Sequence, residues 1–193
     1  MRSILGLVAL LALGAGCAKA PSAGKAGDQA NPGTNKAPTE TAPKAINLGP
    51  GDTTAYTTDA PRRPLWVLRW ESARLTGVDQ KQVIGEVTPA TGEILRENEP
   101  SIPFSADRGR GDQVQKKLDL VGNVKLSSQS PKVTLFCQSL RYDASAKIVI
   151  AKGTVRVESV SGTLSTDQEL WATPDLRIVG TKDEFLQSRS GPP

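Results

Sequence analysis

Acid–base and nucleophilic chemistry at neutral pH draws mostly on histidine, cysteine and paired carboxylates, and this chain has no histidine and two cysteines, Cys17 and Cys137. His-based triads, histidine-ligated zinc and an imidazole general base are therefore excluded. Cys137 closes the apolar run Val133-Thr-Leu-Phe-Cys137 and reads as a buried, inert thiol rather than a nucleophile. The acid pairs Glu97/Glu99 and Asp167/Glu169 stand in loop or alternating contexts with nothing adjacent in the sequence to shift their protonation. Gly109-Arg-Gly111-Asp112 lacks the Lys-Ser/Thr of a phosphate loop and reads as a turn. The expectation is a protein without catalytic residues, metal site or cofactor.

Cys17 carries a different chemistry. It follows Arg2 and the small, apolar run Ile4 to Gly16, too short for a bilayer core of about 30 Å and suited to a signal-peptide h-region. Leu13-Gly-Ala-Gly-Cys17 resembles a bacterial lipobox, in which the cysteine sulfur is acylated and the cysteine becomes the new N-terminus, although Gly14 stands where Leu is usual. Cys17 is thus the expected lipid anchor. The alternative is an ordinary secretory signal cut after Ala15 or Ala18. Both readings export the chain.

Residues 18–60 are rich in Ala, Pro, Gly, Thr, Lys and Asn and poor in large apolar side chains. They bury too little to offset ordering entropy and read as a disordered tether. The formal charge of +4 and pI of about 9.2 invite a nucleic-acid reading. However, the basic residues are scattered, with only Arg62-Arg63 and Lys116-Lys117 adjacent, and no aromatic nucleic-acid signature accompanies them. No nucleic-acid partner is expected.

The remainder, 61–181, reads as one β domain followed by a flexible tail, 182–193. Its clearest signal is a recurrence at about 30 residues, within repeat range. Leu118-Asp-Leu-Val-Gly122-Asn-Val-Lys-Leu126 and Ile148-Val-Ile-Ala-Lys-Gly153-Thr-Val-Arg-Val157 share an apolar strand, a glycine, then Val-basic-apolar. Thr163 to Leu170 echoes Thr134 to Leu140 in the same way. Leu65–Leu75 reads as an opening strand, and Gln82–Val87 with Glu93–Leu95 as a hairpin around Pro89–Gly92. Asn98–Asp112, with Pro100, Pro103, Gly109 and Gly111, reads as an irregular connection or edge. Asp143–Ala146 is a turn capped by its aspartate. Ile148 and Ile150 share one parity and Val155 and Val157 the other, which predicts a bulge or bend at Gly153. At most one helical turn is expected, within Lys182–Gln187.

From about Trp66 to Gly180 the chain resembles the OstA-like family of lipopolysaccharide-transport proteins, most of all its LptC-type members. The matching features are the aromatic first strand with Ala73 and Arg74, Leu140-Arg-Tyr-Asp143, Gly153-Thr-Val-Arg-Val157 and Gly162-Thr-Leu-Ser-Thr-Asp-Gln-Glu-Leu170. The resemblance implies an all-β fold, a curled two-sheet antiparallel β-jellyroll or taco of repeated hairpins. It also implies that the apolar interior holds acyl chains of lipopolysaccharide or a similar acylated glycolipid. Other jellyroll proteins of a transport bridge would pair with its edge strands, at the periplasmic face of a bacterial membrane. LptC-type members carry a membrane-spanning helix, where this chain has a short signal and a tether. By parity the interior residues are Leu118, Leu120, Val124, Leu126, Leu135, Ile148, Ile150, Val155 and Val157, as lipid contacts or as plain core. Trp66, Trp70 and Tyr142 are rim or core aromatics. The competing function is a structural envelope lipoprotein whose β domain only docks other proteins.

Overall fold

The structure, a computed structural model, describes residues 45–75 and 85–190. In chain order its strands are Ile46–Leu48 (β1), Gly51–Tyr56 (β2), Pro64–Trp70 (β3), Ser72–Leu75 (β4), Gly85–Thr88 (β5), Ala90–Arg96 (β6), Glu99–Ala106 (β7), Arg108–Asp112 (β8), Lys117–Gln129 (β9), Lys132–Asp143 (β10), Ile148–Lys152 (β11), Val155–Ser159 (β12), Gly162–Thr166 (β13), Leu170–Ala172 (β14) and Val179–Gly180 (β15), followed by the helix Lys182–Arg189 (α1). The chain is all-β, as its alternating patterns require, and all 15 strands join one antiparallel sheet that does not close into a barrel.

The ladders run in two sets, β1-β4-β5-β8-β9-β10-β11-β14-β15 and β2-β3-β6-β7-β9-β10-β12-β13. Only β9 and β10 belong to both. The chain therefore traces long strands in meander order: β1/β2, β3/β4, β5/β6, β7/β8, β9, β10, β11/β12 and β13/β14. Each bends in the middle, and the sheet folds over this spine into two half-sheets. They face each other closely. A Cβ on Gly111 of β8 would lie 2.5 Å from the indole of Trp66 on β3, so glycine is what admits the tryptophan.

The spine is built from extra residues. Ser105 stands opposite Lys125 and Arg108 opposite Val121, three steps in β7/β8 against four in β9. Ser139 stands opposite Lys152 and Phe136 opposite Arg156, again three steps against four. Gly122-Asn123 and Gly153-Thr154 are the surplus pairs, with Gly122 at φ 79° and Gly153 at φ 73°. Such bulges bend a strand, and glycine tolerates the left-handed backbone. The Asp107 N–H donates to the Gly122 carbonyl at 2.8 Å, and the Gln138 N–H to the Gly153 carbonyl at 3.0 Å.

The predicted bend at Gly153 is present, but its parity flip is not. Val149 and Ala151 face inward on β11, in phase with Val155 and Val157 on β12. The flip occurs instead in β10, where Val133, Leu135 and Cys137 give way to Leu140 and Tyr142 at Gln138. Ile148 and Ile150 consequently point away from the core and are half-buried. Ile150 pairs with Trp171, whose ring centroid lies 6.0 Å from that of Phe185 on α1. Phe185 is fully buried outside the main core, so α1 lies against this part of the outer face.

Four other expectations are corrected. Asn98–Asp112 is not an irregular edge: β7 and β8 lie mid-sheet. The segment around Pro89 is not a hairpin, because β5 pairs with β4 and β8 while β6 pairs with β3 and β7. Leu65–Leu75 is interrupted at Glu71, between β3 and β4. The folded chain also reaches beyond 61–181: β1 and β2 lie in the stretch assigned to the tether, and α1 makes two turns in the stretch assigned to the tail. Residues 18–44 of that tether lie outside the described residues.

Gly122→Ala and Gly153→Ala should each lower stability by about 1–3 kcal/mol through backbone strain, aggravated by the Asp107 and Gln138 side chains, which crowd the new Cβ. Gly49→Ala, with nothing within 4 Å of the added carbon, should be near neutral. Urea midpoints for the three variants check this; equal midpoints would remove the bulges from the account of the bend.

Candidate functional site

Opposite the spine the strand ends of the two half-sheets diverge, and there a cleft of about 680 Å³ opens between them. Strand ends and turns supply its walls. On one side, Pro64 and Leu65 begin β3 and Leu95 and Arg96 end β6. On the other, Tyr142 lies in the last two residues of β10, Ala144 and Lys147 belong to the turn that follows it, and Thr173–Asp175 follow β14. Arg189, the last residue of α1, completes the rim.

Local sequence fixes each wall. The Thr57 N–H donates to the Arg63 carbonyl at 2.8 Å, and the Arg63 N–H donates to Thr57 Oγ1 at 3.0 Å, closing the loop that leads into Pro64. Arg96 donates to the Pro100 carbonyl through Nη2 at 2.9 Å and pairs with Glu99, holding the β6–β7 turn. Asp143 Oδ1 accepts the Ser145 and Ala146 N–H groups at 3.0 and 2.9 Å, the predicted aspartate-capped turn, and presents Lys147 at φ 55°.

The cleft is apolar along Pro64, Leu65, Leu95, Tyr142 and Ala144 and charged at its rim. Burial pushes the Tyr142 phenol up to about 12, so it stays neutral. Arg63 pairs with Glu97, an exposed pair that contributes little. Lys147 and Arg189 have no carboxylate within ion-pair distance among the described residues. Arg189 donates to the Ala146 carbonyl at 3.3 Å, with its guanidinium 5.6 Å from the Phe185 ring. An apolar floor with two unneutralised cations at its rim suits an anionic amphiphile.

Seven of the nine predicted interior residues are inside: Leu118, Leu120, Val124, Leu126, Leu135, Val155 and Val157. They do not line an open trough. Together with Trp66, Leu68, Ile94 and Ile102 they form a continuous, filled core, most of them at 0–1% exposure. Ile148 and Ile150 are outside that core. None of the nine lines the cleft. Cys17 lies outside the described residues. Sequence reading missed Leu65, Leu95 and the Thr173–Asp175 loop as site residues; the usable signal was that successive turns of a bent meander all gather at its mouth. Among the described residues no three Cys, Asp or Glu side chains group as a metal site.

No family model matches the chain, and no curated protein matches it.

Burial pushes the Cys137 thiol up to about 12. In a Cys17→Ser background, native protein at pH 8 should resist iodoacetamide for hours and react within minutes in urea. Stoichiometric labelling of the native protein would sink the inert-thiol reading.

Proposed function

We propose that this chain is a non-enzymatic periplasmic bridge protein of the OstA-like, LptC-type kind. In this reading it takes part in lipopolysaccharide transport to the outer membrane, anchored to a bacterial membrane through a lipid on Cys17. The observation that carries the reading is the apolar cleft between the two half-sheets at the mouth of the bent sheet, rimmed by Lys147 and Arg189. Acyl chains bind there by hydrophobic burial, at about 25 cal/mol per Å², and the cations meet anionic groups of the glycolipid. The expected lipid-holding interior is revised accordingly: the core is filled, and the lipid contact moves to the mouth.

Edge pairing with other jellyroll proteins is supported by β13. Among the described residues it pairs only with β12, and Leu164, opposite the inward Val157, remains 53% exposed. An unpaired edge with an exposed apolar side chain is a template for β-augmentation. The second reading, a structural envelope lipoprotein that only docks proteins, is favoured by the filled core.

Photo-crosslinkers at Leu65 and Leu95, compared with one at Leu164, separate the two. Carriage predicts lipopolysaccharide adducts from Leu65 and Leu95 in cells and protein adducts from Leu164. Protein adducts from all three positions and lipid adducts from none would leave only docking. Cys17→Ala should release the protein from the membrane fraction; undiminished membrane association of this variant would overturn the anchor.

A further inference from the structure

One wall of the cleft is a loop that holds itself together. In Thr173–Ile178 the Thr173 N–H donates to the Ile178 carbonyl at 3.0 Å, and the Leu176 N–H to the Thr173 carbonyl at 2.9 Å. Asp175 Oδ1 accepts Thr173 Oγ1–H at 2.5 Å and the Arg177 N–H at 3.2 Å, and the Ile178 N–H donates to Thr173 Oγ1 at 3.2 Å. These bonds all stay inside the loop. It is therefore able to swing on β14 and β15 as a unit without breaking them.

Two features fasten the loop to the rest of the molecule. The first is Leu176, 3% exposed and part of the continuous core. Every other core residue except Ala144 is carried by a strand; Leu176 is inserted from a loop, at φ 59°. A leucine in the left-handed region is strained, so its burial must hold it there. The second is a square of alternating charges across the mouth. Asp175 Oδ2 lies 3.6 Å from Arg96 Nη1 and 3.3 Å from Arg177 Nε, Arg177 Nη2 lies 3.9 Å from Glu99 Oε2, and Arg96 pairs with Glu99. The Arg96 and Asp175 side chains are 13% and 18% exposed, so solvent screens their attraction less than that of the outer-face pairs.

With the core filled, an acyl chain reaches past the cleft only by displacing an apolar group, and Leu176 is the large core side chain that no ladder retains. We infer that the Thr173–Ile178 loop is a releasable stopper of the mouth, with Leu176 seated where the acyl chain of an anionic amphiphile inserts and the Arg96, Glu99, Asp175 and Arg177 square as its latch. The inference rests on the reading of the cleft as the lipid contact and adds to it a means of opening.

Arg96→Gln removes a latch cation that takes no part in the loop's internal bonds, and Leu176→Ala removes the stopper with the latch in place. In purified protein carrying Cys17→Ser and Leu176→Cys, without lipid, maleimide labelling of the seated thiol should quicken by about tenfold when Arg96→Gln is added, as opening of the loop becomes easier, while Cys137 stays unlabelled. Leu176→Ala should bind dodecyl phosphate several-fold more tightly than wild type, with inorganic phosphate bound by neither. Unchanged labelling at position 176 on adding Arg96→Gln overturns the latch, and equal dodecyl phosphate affinity overturns the stopper. Neither result bears on the crosslinks at Leu65 and Leu95, which test lipid contact independently.

Discussion

The structure depends on a phase problem solved at Gln138. A sheet that folds over on itself must keep its apolar face inside on both sides of the bend, although strict alternation would turn some strands inside out. Gly122-Asn123 and Gly153-Thr154 insert one residue each on the two strands flanking Gln138. β9 and β11/β12 keep their phase through the bend, while β10 between them changes phase. The three strands then present Leu120, Val124, Leu135, Leu140, Val149 and Val155 to one core. The local backbone and the burial pattern are two views of the same requirement.

The cleft follows from the bend. Because every long strand turns at the spine, the described connections between long strands fall at the mouth, where backbone polar groups reach water and side chains are free to vary. The core is dry and filled. The mouth carries the ionic and turn chemistry: Asp143 and Asp175 each cap their own loop, and Arg96 ties the β6–β7 turn to the loop after β14. Rigidity and variability are thus separated along the strand axis.

Much of the fold was legible because the repeat reports the bend. Gly122-Asn-Val-Lys-Leu and Gly153-Thr-Val-Arg-Val mark the same structural event, two long strands apart. The inward set on β9 was readable because its other face is polar. On β11, Ile148-Val-Ile-Ala is apolar in both phases, and parity cannot choose. The larger isoleucines went outward because Trp171 and Phe185 cover that face. Asn98–Asp112 looked irregular for reasons that are physical once seen in space. β9 pairs with β7 only at Phe104 and Ser105, beyond both prolines, and Gly111 is bare because Trp66 fills the space its side chain would occupy. The cleft was illegible for another reason: its residues are distant in sequence and share no periodicity, and only the meander brings Leu65, Leu95 and Tyr142 together.

Each long strand lies beside its neighbour in the chain, and the sheet never closes. Nothing in the pairing therefore dictates how many strands there are. A barrel fixes its strand count through tilt and stagger, whereas here another bent hairpin could be appended alongside β13 and β14 at the loss of only the two-residue β15 ladder, with the same spine continued. The width of the molecule is thus an evolutionary variable, free to lengthen or shorten by whole hairpins in the manner of a solenoid. The glycine bulges are its unit of growth.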